Sequence, residues 1–97
     1  MADKIMWSSP SGQSLEFGVF DYYGQWNTVG GIYMFCRREQ TGAYIPIYIG
    51  QAQSLKDRLS QHEQWSLAAR KGASAVLAAV VPSQADRDLF ERQLVQQ

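Results

Sequence analysis

The sequence predicts an α+β domain: a small three-stranded antiparallel sheet flanked by about three helices. Three observations carry that expectation. Residues 30–37 and 44–50 are short runs rich in Ile, Tyr, Met and Phe on either side of a polar break, as in a hairpin. Residues 75–81 (Ala-Val-Leu-Ala-Ala-Val-Val) are apolar without alternation, which suits a central strand covered on both faces. Capped stretches with helical spacing follow the second and third of these runs.

Taken in order, residues 1–14 contain Ser8-Ser9-Pro10-Ser11-Gly12 and read as loose, with Met6 and Trp7 tucked onto the core. Residues 15–23 alternate partly and form a short strand or an extended arm. The aromatics Phe17, Phe20, Tyr22, Tyr23 and Trp26 either pack over a sheet edge or stack on bases, as in single-strand binders. Residues 1–28 are thus expected as an extension packed on or near the sheet, and residues 29–97 as the main domain.

The hairpin joins Gly31-Ile32-Tyr33 to Tyr48-Ile49-Gly50 through Arg37-Arg38-Glu39-Gln40-Thr41-Gly42. A turn centred between Gln40 and Thr41 would set Gly31 opposite Gly50, Ile32 opposite Ile49 and Tyr33 opposite Tyr48. The two phenols would then lie side by side, about 4.5–5.5 Å apart at Cβ. The two glycines would leave room above the backbone. Pro46 cannot donate to a ladder, so the second strand belongs at an edge.

Ser54, with Asp57 three residues on, caps a helix expected over residues 54–63. Leu55 and Leu59 mark its buried stripe, and Arg58 and His62 share a face four residues apart. Residues 64–71, with Trp65, Leu67, Ala68 and Ala69, form a second helix that stops at Gly72. Ser83 and Asp86 open the last helix from about residue 84, with Leu89, Phe90 and Leu94 inward and Glu91 at the border of the stripe.

The 97 residues allow one domain with one modest core. No apolar run approaches the roughly 18 residues of a membrane helix, and no secretory leader precedes the domain, so no membrane is expected and cytoplasm is the default compartment. The single cysteine, Cys36, rules out an internal disulfide and reads as a small core residue. Nine basic and nine acidic side chains balance, which does not mark a general nucleic-acid binder. Lys56, Arg58, Arg70 and Lys71 do outnumber Asp57 and Glu63 over residues 51–73, so a small positive excess accompanies the tyrosine and arginine segment.

Gly31-Ile32-Tyr33, then Tyr48-Ile49-Gly50, then Arg58 and later Glu91, in that order over residues 29–97, resemble the GIY-YIG endonuclease family. Phage homing endonucleases, some restriction enzymes and the incision subunit of bacterial nucleotide excision repair belong to it. The resemblance implies a metal-dependent endonuclease that hydrolyses DNA phosphodiester bonds, in repair or restriction, with a specificity-conferring partner or domain. It implies catalytic roles for Tyr33, Tyr48, Arg58, His62 and Glu91, with Glu91 holding Mg²⁺ or Mn²⁺. Gly31, Gly50, Lys56 and Arg58 are the expected substrate-binding residues.

Each role has its chemistry. A lone carboxylate suits Mg²⁺ completed by water and phosphate oxygens. An arginine fork suits non-bridging phosphate oxygens. A phenol titrates near ~10, so Tyr33 or Tyr48 needs neighbouring positive charge to act as a base. His62 orients the water or accepts a proton. Plainer roles stand beside these: strand packing for the tyrosines, and a solvated helix position near Arg87 or Arg92 for Glu91. Two departures stand out. Gln51 occupies the place where some relatives carry a Lys, leaving Lys56 or a metal-bound water to assist the tyrosine. The family's Asn beyond the Glu has no counterpart before Gln97, which leaves the chain a fragment, or that role absent or filled elsewhere. The alternatives to a nuclease are a nucleic-acid-binding module with weak or no turnover, and a protein-interaction domain on the same scaffold.

Overall fold

In the computed structural model, residues 4–8, 12–22, 26–60 and 62–95 are described. Tyr23 of the aromatic arm, residues 9–11 of the loose N-terminal segment, and Gln61 of the first expected helix lie outside them. The elements run β1 (Lys4–Ser8), β2 (Ser14–Phe20), β3 (Gly31–Arg38), β4 (Tyr44–Ala52), α1 (Leu55–Leu59), α2 (Trp65–Arg70), β5 (Ala75–Val80) and α3 (Gln84–Val95). One antiparallel five-stranded sheet has the order β1-β2-β5-β3-β4.

The fold is α+β, but the expected three-stranded sheet is corrected to five strands. The two extra strands come from the N-terminal segment. Leu15, Phe17 and Val19 alternate with Glu16 and Gly18, and Ile5 and Trp7 alternate with Lys4 and Met6. Ile5, Trp7, Phe17 and Val19 thereby join one apolar layer, so Trp7 meets the core as expected, whereas Met6 alternates outward and is exposed. The apolar strand β5 also has two rows of backbone groups to satisfy. β3 pairs with one row, and β2 pairs with the other at Gly18↔Ala78, Val19↔Leu77 and Phe20↔Val76.

The hairpin register is also corrected. Tyr33 faces Gly50, Met34 faces Ile49 and Phe35 faces Tyr48, two residues from the expected pairing. The turn is wider and falls later: the Glu39 N–H donates to the Ala43 carbonyl (2.8 Å), and Gly42 has φ +91°. A bulge between Phe35 and Cys36 then resets the pairing to Cys36↔Pro46, where the proline has no N–H to contribute. A two-residue shift preserves faces, so Tyr33 and Tyr48 still share one face, now as diagonal neighbours.

Helices cover both faces. Tyr33, Phe35, Val76 and Ala78 pack beneath α1 and α2 with Leu55, Leu59, Ala68 and Tyr22. Ile32, Met34, Cys36, Leu77 and Ala79 pack on the other face with Leu94 and Phe90 of α3. Each large side chain so buried stabilises the fold by roughly 1.5–3 kcal/mol. Helix ends follow local chemistry. The Ser54 hydroxyl accepts from the Asp57 N–H (3.3 Å), and the Ser83 hydroxyl accepts from the Asp86 N–H (3.3 Å). Gly72, at φ +102°, closes the turn after α2. α1 is shorter than expected, ending at Leu59. Among the described residues, no helix is long and apolar enough to cross a membrane.

Candidate active site

The tyrosine cluster is built over a glycine. Tyr33 sits opposite Gly50, and its ring lies where a side chain at residue 50 would be. A Cβ there would stand 2.6 Å from Oη and 2.7 Å from Cζ of Tyr33. The space above Gly31 is taken by Leu55 and the Ala79 carbonyl. The room expected above these two glycines is therefore filled by the protein's own atoms.

Tyr33 is 1% exposed, and its Oη lies 2.6 Å from His62 Nε2. His62 is held at three points. Its backbone N–H donates to Tyr22 Oη (2.9 Å), its Nδ1 accepts from the Gln64 N–H (3.0 Å), and its Nε2 meets Tyr33. With Nδ1 engaged as an acceptor, a neutral ring carries its proton on Nε2, so that nitrogen donates to the phenol oxygen. Tyr48, half-buried, stacks 6.2 Å from Tyr33 and meets the His62 ring edge-on at 5.1 Å. Phe35 and Trp65 complete the aromatic wall.

Burial raises the Tyr33 phenol well above its ordinary range, and Tyr48 adds to that shift. The charge and hydrogen bonding of nearby Arg58 oppose it. Burial also lowers His62, reinforced by the Arg58 charge and opposed by Glu63. The buried centre is thus a neutral phenol and a neutral imidazole, with a cation at its margin.

That cation has a partner. Arg58 Nη1 and Nη2 donate to the two oxygens of Glu63, both at 2.8 Å. The pairing holds the Glu63 carboxyl down to about 2 and raises Arg58 above its ordinary value. Nothing in the sequence marked Glu63: its five-residue separation from Arg58 is not a helical spacing. Lys56 is exposed, two residues before Arg58 and so toward another side of α1.

Glu91 is not part of this cluster. It reaches the same edge strand from the opposite face. Gln51, the residue after Gly50, turns to the α3 side, and its Nε2 donates to Glu91 Oε2 (2.7 Å) and Asp88 Oδ1 (2.8 Å). Those bonds hold Asp88 below the usual carboxylate range, Gln51 first and Gln84 second. Gln51 therefore has a structural role, linking β4 to the α3 carboxylates. An open depression of about 400 Å³ is lined by Gln51, Asp88, Glu91, Arg92 and Val95. Glu91 with Asp88 offers acceptor-only oxygens of the kind a largely hydrated Mg²⁺ accepts. No cluster of three or more potential metal ligands occurs among the described residues.

Arg87 anchors this arrangement, and sequence reasoning missed its burial. It is 3% exposed, and Nη1 donates to the carbonyls of Val81 (2.9 Å) and Pro82 (2.8 Å). Nη2 donates to Gln84 Oε1 (3.1 Å) and Nε to Gln51 Oε1 (3.3 Å). A Cβ at Gly30 would strike Nη1, so Gly30 is the signal that a large group crosses there. Cys36 is fully buried, and burial pushes its thiol up to about 12, which leaves it inert.

The structure thus groups Tyr33, Tyr48, Arg58 and His62 on one face of β4 and sets Glu91 on the other. Comparison of the chain with protein-family models, with curated proteins and with solved structures finds no match.

Proposed function

We propose that this chain is a DNA endonuclease of GIY-YIG type, working at the exposed edge of β4. The observation that supports it most is the 2.6 Å Tyr33–His62 bond beside Tyr48 and Arg58. A phenol, an imidazole and a guanidinium brought together by three separate elements are more than strand packing requires.

In this reading Arg58 takes two non-bridging oxygens of the phosphodiester with its guanidinium fork. Tyr33, once its own phenolic proton has been released to solvent, is the base for the attacking water. His62 Nε2–H and the Arg58 charge both favour the phenolate that receives the proton, against the burial that disfavours it. Tyr48, nearer solvent, donates to the phosphate. Glu91, with Asp88 beside it, would hold Mg²⁺ or Mn²⁺, which when bound would supply charge neutralisation for the phosphate and the leaving oxygen. Tyr33 overlies Gly50 and Glu91 bonds Gln51, so adjacent residues of one edge strand carry the two halves of the site. A partner that directs specificity and a cytoplasmic location go with this reading.

One observation favours a second reading, a nucleic-acid-binding module without turnover. Arg58 and Glu91 are both engaged by internal partners, Glu63 and Gln51. The test is nicking of supercoiled plasmid with Mg²⁺ or Mn²⁺, comparing wild type with Arg58→Ala and Glu91→Ala purified identically. A nuclease nicks in wild type, stops on chelation, and is lost in both variants. Salt-sensitive DNA binding by folded wild type without nicking selects the binding module.

A further inference from the structure

The Arg58–Glu63 pair carries a consequence for ligand binding. Two carboxylate oxygens in one plane meet the two terminal nitrogens of Arg58, each at 2.8 Å. The non-bridging oxygens of a phosphodiester engage a guanidinium in the same two-point way. The carboxylate is also held in place. The preceding residue, His62, is fixed by Tyr22, Tyr33 and Gln64, so residue 63 leaves the backbone from an anchored position.

We propose that Glu63 is a built-in occupant of the anion seat at Arg58, and that a phosphate-bearing ligand binds by displacing it. The proposal rests on the reading of Arg58 as the phosphate-binding residue. It makes Glu63 a specificity-determining residue. An isolated weak oxyanion must compete with a tethered carboxylate that is always present. A polyanion engaging further groups along the β4 edge displaces it at lower concentration. The Arg58 guanidinium holds the Glu63 carboxyl below the usual carboxylate range, so mild acid does not favour opening the seat. The pair is exposed, with side-chain accessibilities of 36% for Arg58 and 62% for Glu63, so displacement is readily reversible.

The test is titration with inorganic pyrophosphate in metal-free buffer, followed by the Arg58 Nε–H NMR signal and the backbone amide signals of α1. Wild type is compared with Glu63→Gln and Glu63→Ala. Asp57→Asn controls for loss of a nearby negative charge that is not the one paired with Arg58. Both Glu63 variants should bind about fivefold more tightly than wild type, the upper end for a broken exposed pair. The Asp57→Asn gain should be less than half of that. In the Arg58→Ala background the gain from Glu63→Gln should disappear. Equal affinities in wild type and the Glu63 variants overturn the proposal, as does a gain matched by Asp57→Asn or one that survives Arg58→Ala. Repeating the titration with a short duplex oligonucleotide separates the two ideas. Pyrophosphate gain without DNA binding leaves the seat standing and removes the nuclease reading. DNA binding unaffected by Glu63→Gln does the reverse.

Discussion

The two faces of the sheet hold their polar groups in opposite ways. Beneath α1 and α2, Tyr33 and His62 are buried, neutral and fixed by hydrogen bonds to Tyr22 and Gln64. Beneath α3, the apolar layer carries one buried cation, Arg87, tied to two carbonyls, while Asp88 and Glu91 stay near the surface on Gln51. The contrast follows from desolvation. A phenol and an imidazole can enter the interior uncharged, whereas carboxylates stay at the rim and a buried guanidinium needs several acceptors. One face holds a hydrogen-bonded phenol–imidazole pair, the other an anchored pair of carboxylates, and β4 borders both through Tyr48 and Gln51.

That comparison is broken most severely from the α3 side. Arg87→Ala leaves the Val81 and Pro82 carbonyls without their guanidinium partner, and should cost about 3 kcal/mol in urea unfolding. From the other face, Gly50→Ala drives a methyl into the Tyr33 ring and should cost about 2 kcal/mol. It should also displace the His62 ring signals in NMR, which Arg87→Ala at comparable urea-free stability should leave in place.

A smaller effect is the pH dependence of the buried imidazole. Its folded value lies below the ordinary 6.5, so between the two values the unfolded chain binds more protons than the folded one. Stability from this group is complete above about pH 6.5 and declines as pH falls toward the folded value, by at most about 1.4 kcal/mol per pH unit. His62→Gln should remove that slope in denaturation series from pH 7 to 5. The smallest effect belongs to the Lys4–Glu16 pair at 3.5 Å, which is exposed on both sides. Glu16→Gln should leave the melting temperature unchanged within error.

Local signals in the sequence located much of the scaffold. Ser54, Gly72 and Ser83 end or open helices as their chemistry dictates, and the unbroken apolar run of β5 marks a strand with neighbours on both sides. Pro46 lies on an edge strand, as its missing N–H requires. What escaped was long-range or hidden by composition. β1 lies in a segment whose Ser, Gly and Pro suggested a loose chain, and β2, legible as a short strand or arm, gave no local sign that it pairs with β5. The register depended on a turn width and a bulge that no single residue announces. Tyr33 and His62 fall in one expected cluster, but their direct bond, 2.6 Å across 29 residues, is set only by the fold. The partners of Arg58 and Arg87 were invisible because a loop and a helix end, not a periodic spacing, bring them together.

The most direct measurement is plasmid nicking by Tyr33→Phe beside wild type, with near-UV circular dichroism on the same samples. Phenylalanine fills the space over Gly50 and removes only the oxygen that meets His62. The proposed role of Tyr33 predicts an unchanged fold and a loss of nicking of at least about 100-fold, the usual worth of a general base. Nicking by folded Tyr33→Phe at the wild-type rate would contradict it, and would place any chemistry of this chain away from the Tyr33–His62 pair.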